Sequence, residues 1–254
     1  MRILVTFAVD AEFAPWRKLR NLEQSANSGV VMYRAEIGRA QVDFVVTGMG
    51  VENAYRITDA VMTEPYQFCI ASGFAGSLRE SHAIGDILAA DAVQLIGSSK
   101  TQTCSRNLVF AARQDGAAEV KLFLTADHVV RTVDEKKQLQ PFADAVDMES
   151  FGVLSAASAH KVCGVAIRVI SDSATHDLPA VVNTAVDEFG RVRIGGVVRY
   201  IARHPLQLPA LVRLGRNSKT AAEALAHFLE AYIKKLSFFT HGQPPEELRE
   251  VAAR

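Results

Sequence analysis

Apolar runs of strand length alternate along the first third of the chain with a segment of helical spacing. Three such runs predict the first strands, at residues 3–9, 41–46 and 67–71. Residues 51–62 have apolar side chains three and four positions apart, which predicts a helix between the second and third strands. We expect the third strand to end at Ser72-Gly73, because this pair is typical of a turn.

The second half of the chain continues this alternation. Further strands are predicted at residues 86–93, 120–124 and 162–170, and residues 145–148 lead into a helix at 149–160. The strands are almost wholly apolar, as in sheets that are covered by helices on both faces. No linker or repeat divides the sequence. We therefore predict one domain over residues 1–254, a three-layer α/β/α fold around a central mixed, twisted sheet.

Composition narrows the class of partner. The chain has 28 basic and 28 acidic residues, a balance that disfavours nucleic acid as the ligand. No apolar run is long enough to span a membrane, and the N-terminal run is too short for a signal peptide, so we expect a cytoplasmic protein. The three cysteines and seven histidines have no metal-ligand spacing, and we predict no metal.

One segment near the C-terminus differs from the rest in charge. Residues 191–237 are predicted to form a basic amphipathic helical region, and no acidic residue occurs between Glu188 and Glu223. Pro205 and Pro209 are expected to interrupt it. One interpretation is a solvated helical face that packs on the core. The other is a peripheral contact with anionic lipid at a membrane surface.

Three carboxylates follow apolar strands. Glu12 comes after the first strand, Glu149 opens a predicted helix, and Asp172 follows the most apolar strand. Ligands of α/β sheets gather at the carboxyl ends of strands, and acids in different environments can act as acid and base there. Taken singly, each has a structural interpretation: Asp172 as a helix N-cap and Glu149 as a charge opposite its helix dipole.

An ordered set of motifs resembles the nucleoside phosphorylase/nucleosidase superfamily, which includes purine nucleoside phosphorylases and methylthioadenosine/S-adenosylhomocysteine nucleosidases. The specific part of the match is the pair VDMES and IRVISD. The matching segments are residues 7–12 (FAVDAE), 47–50 (TGMG), 72–77 (SGFAGS), 85–86 (GD), 146–149 (VDME) and 167–172 (IRVISD). The resemblance implies an enzyme that cleaves the N-glycosidic bond of a small-molecule purine nucleoside, working as a homo-oligomer.

The resemblance also implies a role for each residue of the site. Asp172 is the expected general acid at purine N7, and Arg168 is expected to orient the site. Glu12 is similar to the carboxylate that activates water in the nucleosidase branch. The substrate-binding residues implied are Ser171 beside the acid, Glu149 at a ribose hydroxyl, Met148 against the sugar, and Gly73, Phe74, Val129 and Asp147 in the pocket.

Departures from the family pattern leave the nucleophile open. Phosphorylases of the family usually carry an arginine where this chain has Ala71, which favours water. Nucleosidases of the family commonly have a serine where this chain has Phe74, and an aromatic residue in the region where it has Val129 and Val130. Phosphate remains an alternative co-substrate, and no other cofactor is expected.

The C-terminal third resembles a narrower group, the hopanoid-associated phosphorylases. The similar segments are residues 177–179, 189–193 and 204–213. That group acts on adenosylhopane, an adenosine joined to a triterpene lipid, which favours phosphate as the nucleophile. Methylthioadenosine-type and adenosylhopane-type substrates both stay open. Two other hypotheses are a nucleoside-binding module that keeps the fold without catalysis, and a peripheral membrane protein built on the basic segment.

Overall fold

A computed structural model describes residues 1–182 and 203–238, and the ten strands of this part form one mixed sheet. The strands are β1 (Arg2–Phe7), β2 (Glu23–Asn27), β3 (Val30–Ile37), β4 (Ala40–Val46), β5 (Phe68–Ser77), β6 (Ile87–Leu95), β7 (Thr101–Thr103), β8 (Ala118–Thr125), β9 (Ala145–Asp147) and β10 (Cys163–Asp172). The helices are α1 (Asp10–Leu19), α2 (Val51–Val61), α3 (Arg106–Gln114), α4 (Val133–Leu139), α5 (Ser150–Ala159) and α6 (Leu208–Leu236), and a 3₁₀ turn (Pro205–Gln207) precedes α6.

The strand order brings distant segments of the sequence to one edge. Along the sheet it is β10-β6-β8-β9-β5-β1-β4-β3-β2, and β7 pairs with β6. Because β10 also pairs with β5, the strands β5, β10, β6, β8 and β9 form a closed ring. In this ring Gly76 of β5 is in register with both Asp172 of β10 and Val146 of β9. The residues that end these strands therefore lie beside each other.

Helices cover both faces of the sheet. On one face lie α1, α3 and α6, where the Trp16 ring packs 4.8 Å from that of Phe44, and Tyr232 Oη donates to the Leu108 carbonyl at 2.9 Å. On the other face α2 and α5 pack closely, since a Cβ at Gly152 would lie 2.3 Å from the Val51 carbonyl oxygen. The predicted three-layer α/β/α architecture is confirmed.

Two sequence-based expectations about element boundaries were wrong. Strand β5 does not end at Ser72-Gly73 but continues to Ser77, because β10 pairs with it along this length. Pro209 does not interrupt α6, because it lies in the first helical turn, where the missing N–H costs no hydrogen bond. The hairpin β2–β3, the short strand β7 and the helices α1, α3 and α4 were not predicted.

Some expectations concern residues outside the described part. The predicted domain over residues 1–254 includes 183–202 and 239–254, and the basic region 191–237 begins in the first of these segments. Both boundaries stay predictions. Within the described ranges, no helix combines the length and the apolarity that crossing a membrane requires.

Candidate active site

A cavity of about 1000 Å³ opens where β1, β5, β9 and β10 reach their carboxyl ends. Eight of the ten predicted site residues line it: Glu12, Phe74, Val129, Asp147, Met148, Glu149, Ser171 and Asp172. The other two, Gly73 and Arg168, lie behind this wall and contact the residues that form it. The ring of strands therefore gathers side chains that are up to 160 positions apart in the sequence.

Glu12 is held by backbone amides from the segment after β1 and from β5. It lies in the first turn of α1, where its Oε2 accepts hydrogen bonds from the amides of Ala8 at 2.7 Å and Val9 at 3.1 Å. Its Oε1 accepts from the amide of Phe74 in β5 at 2.7 Å. Burial raises the pKa of Glu12, whereas Arg168 and these amides act in the opposite direction. A carboxylate with a raised pKa takes up a proton more readily, which suits a general base.

Arg168 is the central cation of the site. It is fully buried in β10, with Nε 2.9 Å from Asp147 Oδ2 and Nη1 3.5 Å from Glu149 Oε2. Nε donates to Ser150 Oγ at 3.0 Å. Burial disfavours the cation, yet the charges of Asp147, Glu149 and Glu12 hold the pKa of Arg168 above its ordinary value. One guanidinium thus neutralises part of the charge of three carboxylates.

Glu149 joins the two helices on one face of the sheet. It is the N-cap residue of α5, and its Oε1 accepts from the amide of Gly50, the N-cap residue of α2, at 3.0 Å. Burial raises the pKa of Glu149 to about 7, with Arg168 opposing and Asp147 adding to the rise. Glu149 therefore exchanges a proton in the physiological range while it faces the cavity.

Asp147 contacts Arg168 through Oδ2, and its second carboxylate oxygen, Oδ1, makes structural hydrogen bonds. Oδ1 accepts from Thr125 Oγ1 at 2.8 Å and from the amides of Glu149 and Ser150 at 3.2 Å each. These bonds satisfy the first amides of α5, as an N-cap side chain does. Asp147 lines the cavity, but its described contacts orient Arg168 and the start of this helix.

Two glycines of the SGFAGS segment make room for the carboxylates. A Cβ at Gly73 would lie 2.6 Å from both Glu12 Oε1 and Arg168 Nη1, and the φ of Gly73 is +139°. A Cβ at Gly76 would lie 2.9 Å from Asp172 Oδ2. Glycine inside a strand commonly marks such a close approach. These residues are therefore spacers within β5, and they do not form a turn.

Asp172 ends β10 at the opposite side of this wall. Ser171 Oγ donates to Asp172 Oδ1 at 3.1 Å. Asp172 Oδ2 forms an ion pair with Nζ of Lys136, which also donates to the Ser173 carbonyl at 2.7 Å. Lys136 comes from α4, and its side chain is only 1% exposed. Sequence reasoning missed Lys136, because the polar run of α4 has no motif that distinguishes it from a surface helix.

The outer part of the cavity is a channel between α1 and α6. Its walls are mainly apolar and are formed by Ala14, Pro15, Leu19, Leu178, Val181, Val182, Leu211, Leu214, Gly215, Ala222 and Ala226. The basic side chains on the cavity wall include Lys18, Lys219 and His128. His128 bonds to Asp127 and Glu135 at 2.6 Å each. Those two carboxylates raise the pKa of His128. The role of α6 in this wall was not predicted.

The described side chains offer no cluster of metal ligands, and the position of the phosphorylase arginine is occupied by Ala71. In residues 1–182 and 203–238 no group of three His, Cys, Asp or Glu has the geometry to hold a metal ion. Ala71, at the position of the phosphorylase arginine, is fully buried inside the sheet. Its methyl group does not reach the cavity wall.

Solved structures share this fold over nearly the whole chain. Futalosine hydrolase of Helicobacter pylori, solved as a mutant, has a TM-score of 0.72 and 18% identity, with 93% of this chain and 100% of that chain covered. The methylthioadenosine/S-adenosylhomocysteine nucleosidase of the same organism, with butyl-thio-DADMe-Immucillin-A, has a TM-score of 0.73 and 19% identity, covering 93% and 99%. The S-adenosylhomocysteine nucleosidase of Streptococcus pyogenes has a TM-score of 0.71 and 20% identity, covering 93% and 97%.

Sequence comparison gives the family. No curated protein matches the chain significantly. The family model described as "Phosphorylase superfamily" matches residues 2–202, which include every residue of the site that precedes the C-terminal helix α6. This match extends over most of the chain, and the fold and the grouping of the motif residues agree with it. The chain therefore belongs to the phosphorylase superfamily.

Proposed function

We propose that this protein hydrolyses the N-glycosidic bond of an adenine nucleoside, with Asp172 as the general acid and Glu12 as the general base. One observation carries the proposal: three carboxylates surround the single guanidinium of Arg168 at one end of the cavity, and a fourth acid, Asp172, borders the same cavity. The fold is that of enzymes that cleave nucleosides, and two of the solved relatives hold nucleoside analogues.

The arrangement suits a dissociative cleavage. When the bond between C1′ and the base breaks, the sugar gains positive charge and the base gains negative charge. The carboxylates of Glu12 and Glu149 stabilise the cationic sugar, and Glu149 binds a ribose hydroxyl beside Met148. A proton from Asp172 at purine N7 lets the base leave as a neutral molecule.

Local charge favours water over phosphate as the nucleophile. The three amides of Ala8, Val9 and Phe74 are already bonded to Glu12. The charge of Arg168 is shared among three carboxylates. A phosphate dianion bound here would be surrounded by more negative than positive charge, and the hydrogen-bond donors that it needs are already engaged with carboxylates. A water molecule beside Glu12, by contrast, can give a proton to this carboxylate.

The outer channel favours a nucleoside with a large apolar 5′ substituent, of the adenosylhopane type. Ligand cavities commonly have volumes of about 300–1,000 Å³, and this one is at the upper end of that range. The outer walls are formed by residues such as Pro15 and Leu19 on α1 and Leu211 and Leu214 on α6. Apolar ligand surface buried against these walls would stabilise binding by about 25 cal/mol per Å². The similarity of the C-terminal third to the hopanoid-associated group supports the same assignment.

The test is adenine release from a series of 5′-alkylthioadenosines, from methyl to decyl, with and without phosphate. We expect release without phosphate, and a kcat/KM that rises with chain length. Release only with phosphate would replace hydrolysis by phosphorolysis. Binding of these nucleosides without release would favour the alternative of a non-catalytic binding module. Asp172→Asn is the control, because it removes the acid while it keeps the shape of the side chain.

We also propose that the start of α6 contacts anionic lipid, which would bring the channel to a lipid-borne substrate. Leu206, Leu208 and Val212 are exposed there, beside the exposed Arg213 and Arg216. Apolar side chains next to basic ones suit an anionic membrane surface. Sedimentation with phosphatidylserine vesicles at low salt is the test. A protein that stays in the supernatant would contradict this part and leave the proposed reaction untouched.

A further inference from the structure

A buried ammonium group touches the proposed acid from the side that faces away from the substrate. We infer that Lys136 is a positioning residue that supplies the proton which Asp172 passes to the leaving base. This inference rests on the proposed function, because it concerns the acid of that reaction. It assigns a task to a buried charged side chain that the family motifs leave without one.

The geometry places Asp172 between Lys136 and the cavity. Lys136 Nζ contacts Asp172 Oδ2 and donates to the Ser173 carbonyl at 2.7 Å. Asp172 Oδ1 accepts from Ser171, and both Ser171 and Asp172 line the cavity, whereas Lys136 does not. Lys136 therefore reaches the substrate only through the carboxyl group of Asp172.

This contact raises a chemical problem that the inference resolves. A carboxylate paired with an ammonium group is ionised, and an ionised carboxylate has no proton to give. The pair taken together still holds one proton that can be transferred. An isolated aspartic acid loses its proton near pH 4 and an isolated lysine near pH 10. The ammonium group of Lys136, in contact with Asp172, can therefore serve as the store of that proton.

The transfer balances in protons and charge. As the C1′–N9 bond breaks, its electron pair moves into the purine, and N7 takes a proton from Asp172. Asp172 takes one from the Lys136 ammonium, so the base leaves neutral and the pair becomes a carboxylate and an amine. The water molecule that attacks C1′ gives a proton to Glu12. When the products leave, solvent restores a proton to Lys136 and accepts one from Glu12.

Other charged groups around α4 are engaged elsewhere. Glu135, the neighbour of Lys136 on α4, bonds to His128, which also bonds to Asp127. Asp177 accepts from the amide of Val133, and Arg131 donates to the carbonyl of Leu178. In the part of the chain that the structure describes, the ion pair of Lys136 is made with Asp172.

The experiment compares wild type with Lys136→Met on two substrates. One is the adenine nucleoside that wild type cleaves best, and the other is p-nitrophenyl β-D-ribofuranoside, whose leaving group needs no proton. For the adenine nucleoside we expect kcat of the variant to fall by about 10²–10³ at pH 7.5 with KM nearly constant, which is within the range of general acid catalysis. We expect turnover of the p-nitrophenyl substrate to stay within about threefold, since no step of it uses the acid.

The pH profile separates a proton source from a structural role. As the pH rises, Lys136→Met should lose its kcat for the adenine nucleoside earlier than wild type does, because only wild type has an ammonium group beside Asp172. Lys137→Met is the matched control, because Lys137 is exposed on the same helix, and it should behave as wild type does. Equal profiles for wild type and Lys136→Met would overturn the inference.

A second variant keeps the test decisive if Lys136→Met unfolds. Lys136→Arg retains the charge, but a guanidinium holds its proton too tightly to pass it on. We therefore expect the arginine variant to melt near the wild-type temperature and to lose kcat for the adenine nucleoside. Full activity of Lys136→Arg would show that a positive charge beside Asp172 is sufficient. It would overturn the inference that Lys136 supplies the proton. If wild type itself released no base from any nucleoside, the proposed function would fail, whatever Lys136 does.

Discussion

Glu12 Oε1 lies too close to the backbone of Gly73 to leave room for a side chain there. A Cβ atom built on Gly73 would come within 2.6 Å of that oxygen. The same Oε1 accepts the hydrogen bond of the Phe74 amide at 2.7 Å. The backbone of β5 therefore both supports the proposed base and leaves it room. A carboxylate in this position depends on one missing side chain, which makes the relationship testable by adding one.

Gly73→Ala should displace Glu12 and strain the backbone at once. The φ of +139° disfavours an alanine, so we expect a loss of stability of about 1–3 kcal/mol. We also expect the release of adenine to slow by about a hundredfold or more, since misplaced catalytic groups commonly cost that much. The matched control is Gly215→Ala, because a Cβ at Gly215 meets no atom within 4 Å. Wild-type turnover by Gly73→Ala would show that Glu12 has no such requirement.

Glu12→Gln should distinguish the two sides of the reaction. Glutamine cannot take a proton from water, so we expect kcat to fall by about 10²–10⁴ for adenine nucleosides. The p-nitrophenyl riboside should suffer a similar loss, because it needs the same activated water even though its leaving group needs no acid. This pattern contrasts with the one expected for Lys136→Met. A normal rate with the p-nitrophenyl substrate would contradict the role of Glu12 as the base.

Glu149 should make the stability of the protein depend on pH. Its pKa is about 7 in the folded protein and is ordinarily near 4.5, so the folded state binds more protons between these values. Stability from this group is complete below about pH 4.5 and is lost as the pH rises through about 7. Glu149→Gln removes the buried charge. The melting temperature of this variant relative to wild type should therefore be higher at pH 8.5 than at pH 5.

The size of this effect follows from linkage. A difference of about 1–3 kcal/mol between the two pH values corresponds to several degrees in Tm for a protein of this length. Glu80→Gln is the control, since Glu80 is exposed and should show no such difference. An equal shift of Tm for Glu149→Gln at both pH values would mean that Arg168 fully offsets the cost of burying the charge.

A large side chain at Gly215, in the wall of the channel between α1 and α6, should impair substrates with a long 5′ group more than those with a short one. Gly215→Phe should place a ring among Leu211, Leu214 and Ser218, where the proposed 5′ chain would lie. We expect kcat/KM for decylthioadenosine to fall by about tenfold or more, since loss of two methylene contacts costs about 1.6 kcal/mol. Methylthioadenosine should be unaffected. Equal losses for both substrates would place the 5′ group elsewhere, and Gly215→Ala again serves as the control.

The sequence predicted most of the central strands of the sheet, for a physical reason. Strands buried on both faces leave continuous apolar runs, and the residues that end them are polar because they face a cavity. The run 162–170 predicted most of β10, and Asp172 was expected at its end. The edge strand β2 and its neighbour β3 were missed because both have solvent-exposed positions and a weaker apolar pattern.

Other features could not be predicted, because they depend on contacts between distant segments. Nothing near Lys136 in the sequence indicates that α4 turns this one lysine inward against Asp172, 36 positions away. The space beside Gly73 is filled by a side chain from α1, so only the fold explains why the strand has a glycine there. The channel wall on α6 likewise requires the packing of that helix against α1.

Helix α6 runs from Leu208 to Leu236, and its two halves have different surroundings. In its second half Leu225, Leu229 and Tyr232 belong to the core while Ala222 and Ala226 border the cavity, and in its first half Leu211, Leu214 and Ser218 border the cavity. We therefore expect substitutions at Leu211, Leu214 or Ser218 to alter the channel with little effect on the core. For the proposed reaction, selection on this helix can change which nucleosides are accepted, while Glu12, Glu149 and Asp172, which lie outside the helix, stay the same.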